Sequence, residues 1–226
     1  MLNLRITTAI TATALSGVAL AALHPAATGT GHRPQSFRLT TTHKSSSNIS
    51  VDQVSQNWTG LIQDGTSETS VGATWSPPSS FVSRAQTESA LAEWVGLGGA
   101  NSNSLIQIGT LTTASTNGTP ITKAFWENIP NVAITGATIP SGTAVTADIS
   151  PVTATPNKWL LSLTTPGSSS PLLSTTVTLT ASQAKAVETS ADWITEAPST
   201  ANNMQVPLAP VASTTMHRGW SQWSAA

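Results

Sequence analysis

From about Ser55 onward the chain consists of short runs rich in Val, Ile, Thr and Trp, each cut off by Ser, Gly, Pro or Asn. This punctuation constrains the fold more than any other feature. Runs this short, closed by turn residues, suit β-strands and leave no room for long helices. Nine segments qualify: 58–63, 71–75, 90–96, 104–111, 122–127, 143–149, 158–164, 175–180 and 191–196. Only 182–189 could be helical, and it lacks an apolar stripe. The pattern predicts an all-β sandwich or barrel. The abundance of Thr supports it, because a β-branched side chain favours the pleated surface.

Composition then narrows the chemistry. Cysteine is absent, which excludes a thiol nucleophile, a Cys-ligated metal and a disulfide framework. Of the four histidines, His24, His32 and His43 precede residue 51, and only His217 lies beyond it. A Ser-His-Asp triad or a multi-His zinc site therefore has almost no material in the main body. Catalysis, if any, must run on carboxylates, amides and hydroxyls. Charged residues are only 8% of the chain and are unevenly spread. The first 50 residues carry Arg5, Arg33, Arg38 and Lys44 with no acid; the rest carries five basic and ten acidic residues. No basic patch is left for nucleic acid.

The N-terminus reads as a secretory signal over 1–21. Arg5 is the positive n-region, 10–20 is the apolar stretch, and Ala19-Leu20-Ala21 fits a small-x-small cleavage site. The expected product is a secreted, extracellular protein with no membrane attachment after cleavage. Residues 22–54 read as a basic leader or propeptide, 55–215 as the β domain and 216–226 as an atypical tail. Asn48, Asn57 and Asn117 stand in Asn-x-Ser/Thr sequons, which a Ser/Thr-rich chain also produces by chance.

Three residues stand out. Glu127, in Ala-Phe-Trp-Glu-Asn-Ile-Pro, and Glu196, in Ala-Asp-Trp-Ile-Thr-Glu-Ala-Pro, are carboxylates inside apolar, aromatic strand segments. Desolvation there raises a carboxyl pKa and suits it to acid–base work; the alternative is a strand-end carboxylate pointing into water. Gln107 alternates with Ile106 and Ile108 and shares a strand face with Leu105 and Gly109. Its amide can donate and accept at once, or simply face solvent.

At these residues a family resemblance enters. Gln56-Asn57-Trp58-Thr59-Gly60, Trp94-Val95-Gly96-Leu97-Gly98-Gly99, Leu105-Ile106-Gln107-Ile108-Gly109, Phe125-Trp126-Glu127-Asn128-Ile129-Pro130 and Asp192-Trp193-Ile194-Thr195-Glu196 occur in this order. Together they resemble the glutamic peptidases, or eqolisins. The resemblance implies an antiparallel sandwich of two bent sheets, a concanavalin-like jelly roll with a cleft on its concave face. It implies a metal-independent acid endopeptidase without cofactor, a monomer acting on polypeptides. Gln107 and Glu196 match the catalytic dyad, and Trp58, Trp94 and Glu127 match substrate-binding positions of the cleft. Three departures accompany the match. Gly98 replaces an Asp common in the family, Tyr is absent, and the pattern stops near Thr215, as if C-terminal strands were missing and the chain were an inactive truncated homologue. Two other readings use the same residues. One is a β-sandwich glycoside hydrolase with Glu127 and Glu196 as its carboxylate pair; the other is a non-catalytic, Trp-rich carbohydrate-binding module.

Overall fold

A computed structural model describes residues 57–65, 67–81, 89–114, 119–140, 142–200, 204–211 and 214–223, together with the two-residue strands Arg5–Ile6, Arg38–Leu39, Ile49–Ser50 and Gln53–Val54. Most of the signal segment, most of the leader, Asn48 and Asn117 lie outside the described residues. The longer strands are β1 (Trp58–Asp64), β2 (Glu68–Trp75), β3 (Ser89–Gly98), β4 (Leu105–Ala114), β5 (Pro120–Ile129) and β6 (Ile134–Ile139). They continue with β7 (Val145–Pro151), β8 (Lys158–Thr164), β9 (Leu173–Thr178), β10 (Ser190–Glu196) and β11 (Met216–Trp223). One short helix, α1 (Ala181–Val187), precedes β10. It opens on a capping box, in which Thr180 accepts from the Gln183 N–H and Gln183 reaches back to the Thr180 N–H.

The strands form two antiparallel sheets. The first runs β6-β5-β4-β3-β10-β1 and is extended at its edge by Ile49–Ser50; the second runs β9-β8-β7-β2-β11. Between them lies the main core, including Val71, Ala73, Trp75, Val95, Ile106, Ile108, Ile149, Leu161 and Leu163. Two indoles pin the sheets together: Trp75 Nε1 donates to Thr110 Oγ1 at 3.0 Å, and Trp193 Nε1 donates to the Gly72 carbonyl at 3.0 Å. A second apolar cluster covers the opposite face of the first sheet and contains Trp58, Ile62, Trp94, Leu105, Phe125, Ile194 and Val206. The middle of the first sheet is thus buried on both faces, and every residue of β3 is buried. Such a strand shows no apolar–polar alternation in sequence.

The structure differs from the sequence expectation at the C-terminal end. Met216–Trp223, expected as a tail outside the sandwich, pairs along β2, with Met216 opposite Trp75 and Trp223 opposite Glu68. The chain passes so close to Trp193 that a Cβ at Gly219 would lie 2.8 Å from the indole nitrogen. Leader residues Ile49–Ser50 likewise pair with β1. At Gly98 φ is +82°, and a Cβ would lie 2.4 Å from the Ser104 carbonyl and 2.7 Å from Val187 Cα. No side chain fits there, so the family's Asp has no counterpart at this position.

Candidate active site

Register decides which side chains share the face of the first sheet away from the main core. Glu196 on β10 stands opposite Trp58 on β1 and Ala92 on β3. Gln107 on β4 stands opposite Gly96 on β3 and Glu127 on β5. Side chains alternate along a strand, so Trp58, Ala92, Trp94, Gln107, Glu127 and Glu196 all project to one side, where Gly96 leaves a gap. The sequence-derived site residues are therefore brought to a single face. Strand β3 runs between the two proposed catalytic side chains, and Trp94 projects from it.

Glu196 is completely buried. Its Oε1 accepts from Asn57 Nδ2 at 2.9 Å and its Oε2 accepts from Trp94 Nε1 at 3.0 Å. Burial pushes its carboxyl up to about 8, while the hydrogen bonds from Trp94 and Asn57 pull the other way. Trp94 is also fully buried and meets Trp58 edge-to-face, with ring centroids 4.9 Å apart. The rim of its six-membered ring lies against Gly96, where a Cβ would fall 2.8 Å from Cζ3. Glycine at 96 thus leaves room for the indole whose Nε1 reaches the Glu196 carboxyl. Trp94, expected as a substrate-binding residue, is as deeply buried here as Gln107 and Glu196 and holds the Glu196 carboxyl.

Gln107 is fully buried and donates through Nε2 to Glu127 Oε2 at 2.6 Å. A carboxylate can only accept, so this contact fixes which end of the amide is nitrogen. Gln107 Oε1 has no hydrogen-bond partner among the described residues. The amide thus keeps one acceptor and one N–H uncommitted. Glu127 is itself buried and serves as the partner of Gln107.

Sequence reasoning did not single out Asn57 as a site residue, although it lies in a quoted motif. It occupies a bend before β1, and its carbonyl accepts the Ala197 N–H at 2.9 Å. The signal for its role is its place next to Trp58, which becomes meaningful only once Trp58 is known to face Glu196. A cavity of about 510 Å³ opens beside it, lined by Asn57, Trp58, Thr195, Val206, Pro207 and Leu208 among others. Asp192 is fully buried too, and its carboxyl is raised well above the ordinary range by burial first and by the nearby Asp64 second.

The sequence profile of the Peptidase A4 family matches residues 56–219. The chain belongs to that family. Among solved structures it is similar to scytalido-glutamic peptidase with a transition state analog inhibitor, at 21% identity and a TM-score of 0.57, covering 74% of this chain and 80% of that one. It is also similar to SCP-B, a member of the eqolisin family of peptidases, in a complex with the tripeptide Ala-Ile-His. That match has 20% identity and a TM-score of 0.50, covering 70% of this chain and 73% of the other. No curated protein sequence matches the chain. The profile carries the family, and the structures carry the glutamic-peptidase β-sandwich.

Proposed function

We propose that this Peptidase A4 chain is a secreted, metal-independent acid endopeptidase, monomeric, in which Gln107 and Glu196 activate water against a peptide bond. The observation that carries the reading is the buried Glu196 carboxyl, with an N–H on each oxygen, sharing a sheet face with a Gln107 amide that keeps Oε1 open. The solved relatives hold a transition state analog and a tripeptide, which supports polypeptide substrates. In the reaction, water sits between Glu196 and Gln107 Oε1. The Glu196 carboxylate takes a proton from the water as its oxygen bonds to the carbonyl carbon. Gln107 Nε2–H donates to the oxygen that becomes negative. Glu196 then returns its proton to the amide nitrogen as the C–N bond breaks.

Two opposing limits set the working pH. In the closed, water-poor site Glu196 holds its proton up to about 8, so it becomes a base only when water enters with substrate and burial is relieved. The N–H donors around it then favour the carboxylate. In the other direction, the buried acids Glu93, Asp192 and Glu196 are neutral at low pH and costly to ionise, which favours the folded state in acid. The test is Glu196→Gln, assayed on a denatured protein at pH 4–6. Proteolysis should fall by on the order of 10⁴-fold with the circular dichroism spectrum unchanged. Digestion at the wild-type rate would remove Glu196 from the mechanism.

A further inference from the structure

We propose that Asn57 is a positioning residue for Glu196, holding the carboxyl in the one plane from which it can take a proton from water. The inference rests on the Glu196 reading above. Rotation about the last torsion of a glutamate is broad, so a carboxyl gripped at one oxygen still swings. Here both oxygens are gripped, Oε2 by Trp94 and Oε1 by Asn57. The two donors come from opposite sides of β10, since Trp94 is on β3 and Asn57 leads into β1. Asn57 is itself held through its backbone, because its carbonyl takes the N–H of Ala197, the residue after Glu196. The amide is thus delivered to Oε1 by a residue whose backbone extends the pairing of β1 with β10 by one step. Each gripped oxygen keeps a second lone pair, whose direction is now fixed.

The residue type matters. Aspartate has the same shape but would set a second carboxyl against the first, and two such groups share one proton. Leucine has similar volume and no donor. Asn57 is also the half-buried residue that lines the cavity beside Trp58, so the side chain that fixes the buried acid is reached from solvent. It stands in a sequon, Asn57-Trp58-Thr59, yet the nitrogen a glycan would occupy donates to Glu196.

The other titratable groups on this sheet face are few among the described residues. They are Asp192 on β10, Asp64 on β1, and Lys123 and Glu127 on β5; β3, β4 and the 204–211 segment contribute none. None of these side chains is altered by Asn57→Leu, so a shift in the pH profile of that variant reports on the lost amide.

The experiment compares wild type, Asn57→Leu, Asn57→Asp and Glu196→Gln over pH 3–10 with a peptide substrate. The Glu carboxyl signals are followed in parallel by carbon-13 NMR of glutamate-labelled protein, with Glu196→Gln identifying the signal of residue 196. Asn57→Leu should lower kcat about tenfold or more while KM moves less than about threefold, because alignment is lost and binding is not. The acid limb of the profile and the Glu196 signal should both move up by about half a unit or more. Asn57→Asp should move them the same way, and it decides the matter if Asn57→Leu fails to fold. An inactive Glu196→Gln with unshifted Asn57 variants overturns this inference alone. A fully active Glu196→Gln overturns the dyad and this inference with it.

Discussion

Glu93 should make the fold weaken steadily from acid to neutral pH. It lies on β3 but faces the main core, on the side away from Glu196, and is 1% exposed. Neither carboxyl oxygen has a hydrogen-bond partner among the described residues. The residues opposite it are Thr110 and Thr195, whose hydroxyls are engaged by Trp75 and Thr214. Burial raises its carboxyl from 4.5 to about 8. In the unfolded chain the same group ionises near 4.5, so below that pH it is neutral in both states and its ionisation makes no difference to stability. Between 4.5 and about 8 only the unfolded state gives up the proton, and stability falls by about 1.4 kcal/mol per pH unit. By pH 7 the loss is about 3 kcal/mol, large against a total of roughly 5–15. Glu93→Gln keeps the shape and removes the proton. Urea unfolding of both proteins at pH 4 and pH 7 gives the test. The stability of Glu93→Gln relative to wild type should rise by about 3 kcal/mol between the two pH values. Asp192 and Glu196 titrate in both proteins and cancel. A relative stability that stays constant to within about 1 kcal/mol would refute the reasoning, because Glu93 would then have found water or a partner.

Two further outcomes follow from the backbone. Ending the chain after Thr215 removes the strand that covers the edge of β2; with each uncovered large apolar side chain forfeiting ~1.5–3 kcal/mol, the domain should lose its cooperative thermal transition at pH 4. An unchanged melting temperature would mean that β11 is not part of the fold. Gly98→Asp, which restores the residue common in the family, should cost ~1–3 kcal/mol from φ alone, with the contacts to Ser104 and Val187 adding to it. Differential scanning calorimetry reads the loss, and a variant as stable as its parent would show that the loop repacks.

The strand cores were legible where a run was bounded by turn residues on both sides. The segment 158–164 was read at its true limits, and the other eight runs lie within or overlap observed strands. Two strands escaped. Ile134–Ile139 is an edge strand with mostly exposed or half-exposed residues and a central Gly136, so no apolar rhythm marks it. In Met216–Trp223 the apolar residues are few and Gly219 interrupts them, and its place is dictated by the free edge of β2 and the indole of Trp193. Gln107 and Glu196 could be picked out because a polar group inside an apolar run is conspicuous. Glu93 is as deeply buried but sits among Ala and Leu on a strand buried on both faces, where alternation carries no information. Asn57 was silent for another reason: its partner lies far along the chain, and only the pairing of β1 with β10 brings the two together.

That pairing belongs to a wider pattern with a kinetic consequence. The first long strand closes against the tenth and the second against the eleventh, so each sheet is completed by a segment from the far end of the described chain. Folding must therefore pass through states in which β1 and β2 offer open edges while they wait for β10 and β11. Contacts of such long range are slow to form, and waiting edges are templates for pairing between molecules. The rate-limiting event in refolding should be the arrival of these late strands, and the yield should fall as protein concentration rises. The active centre inherits the same timing, because Glu196 meets Trp58 and Asn57 only when β10 has docked, so no earlier species on the route holds a finished site.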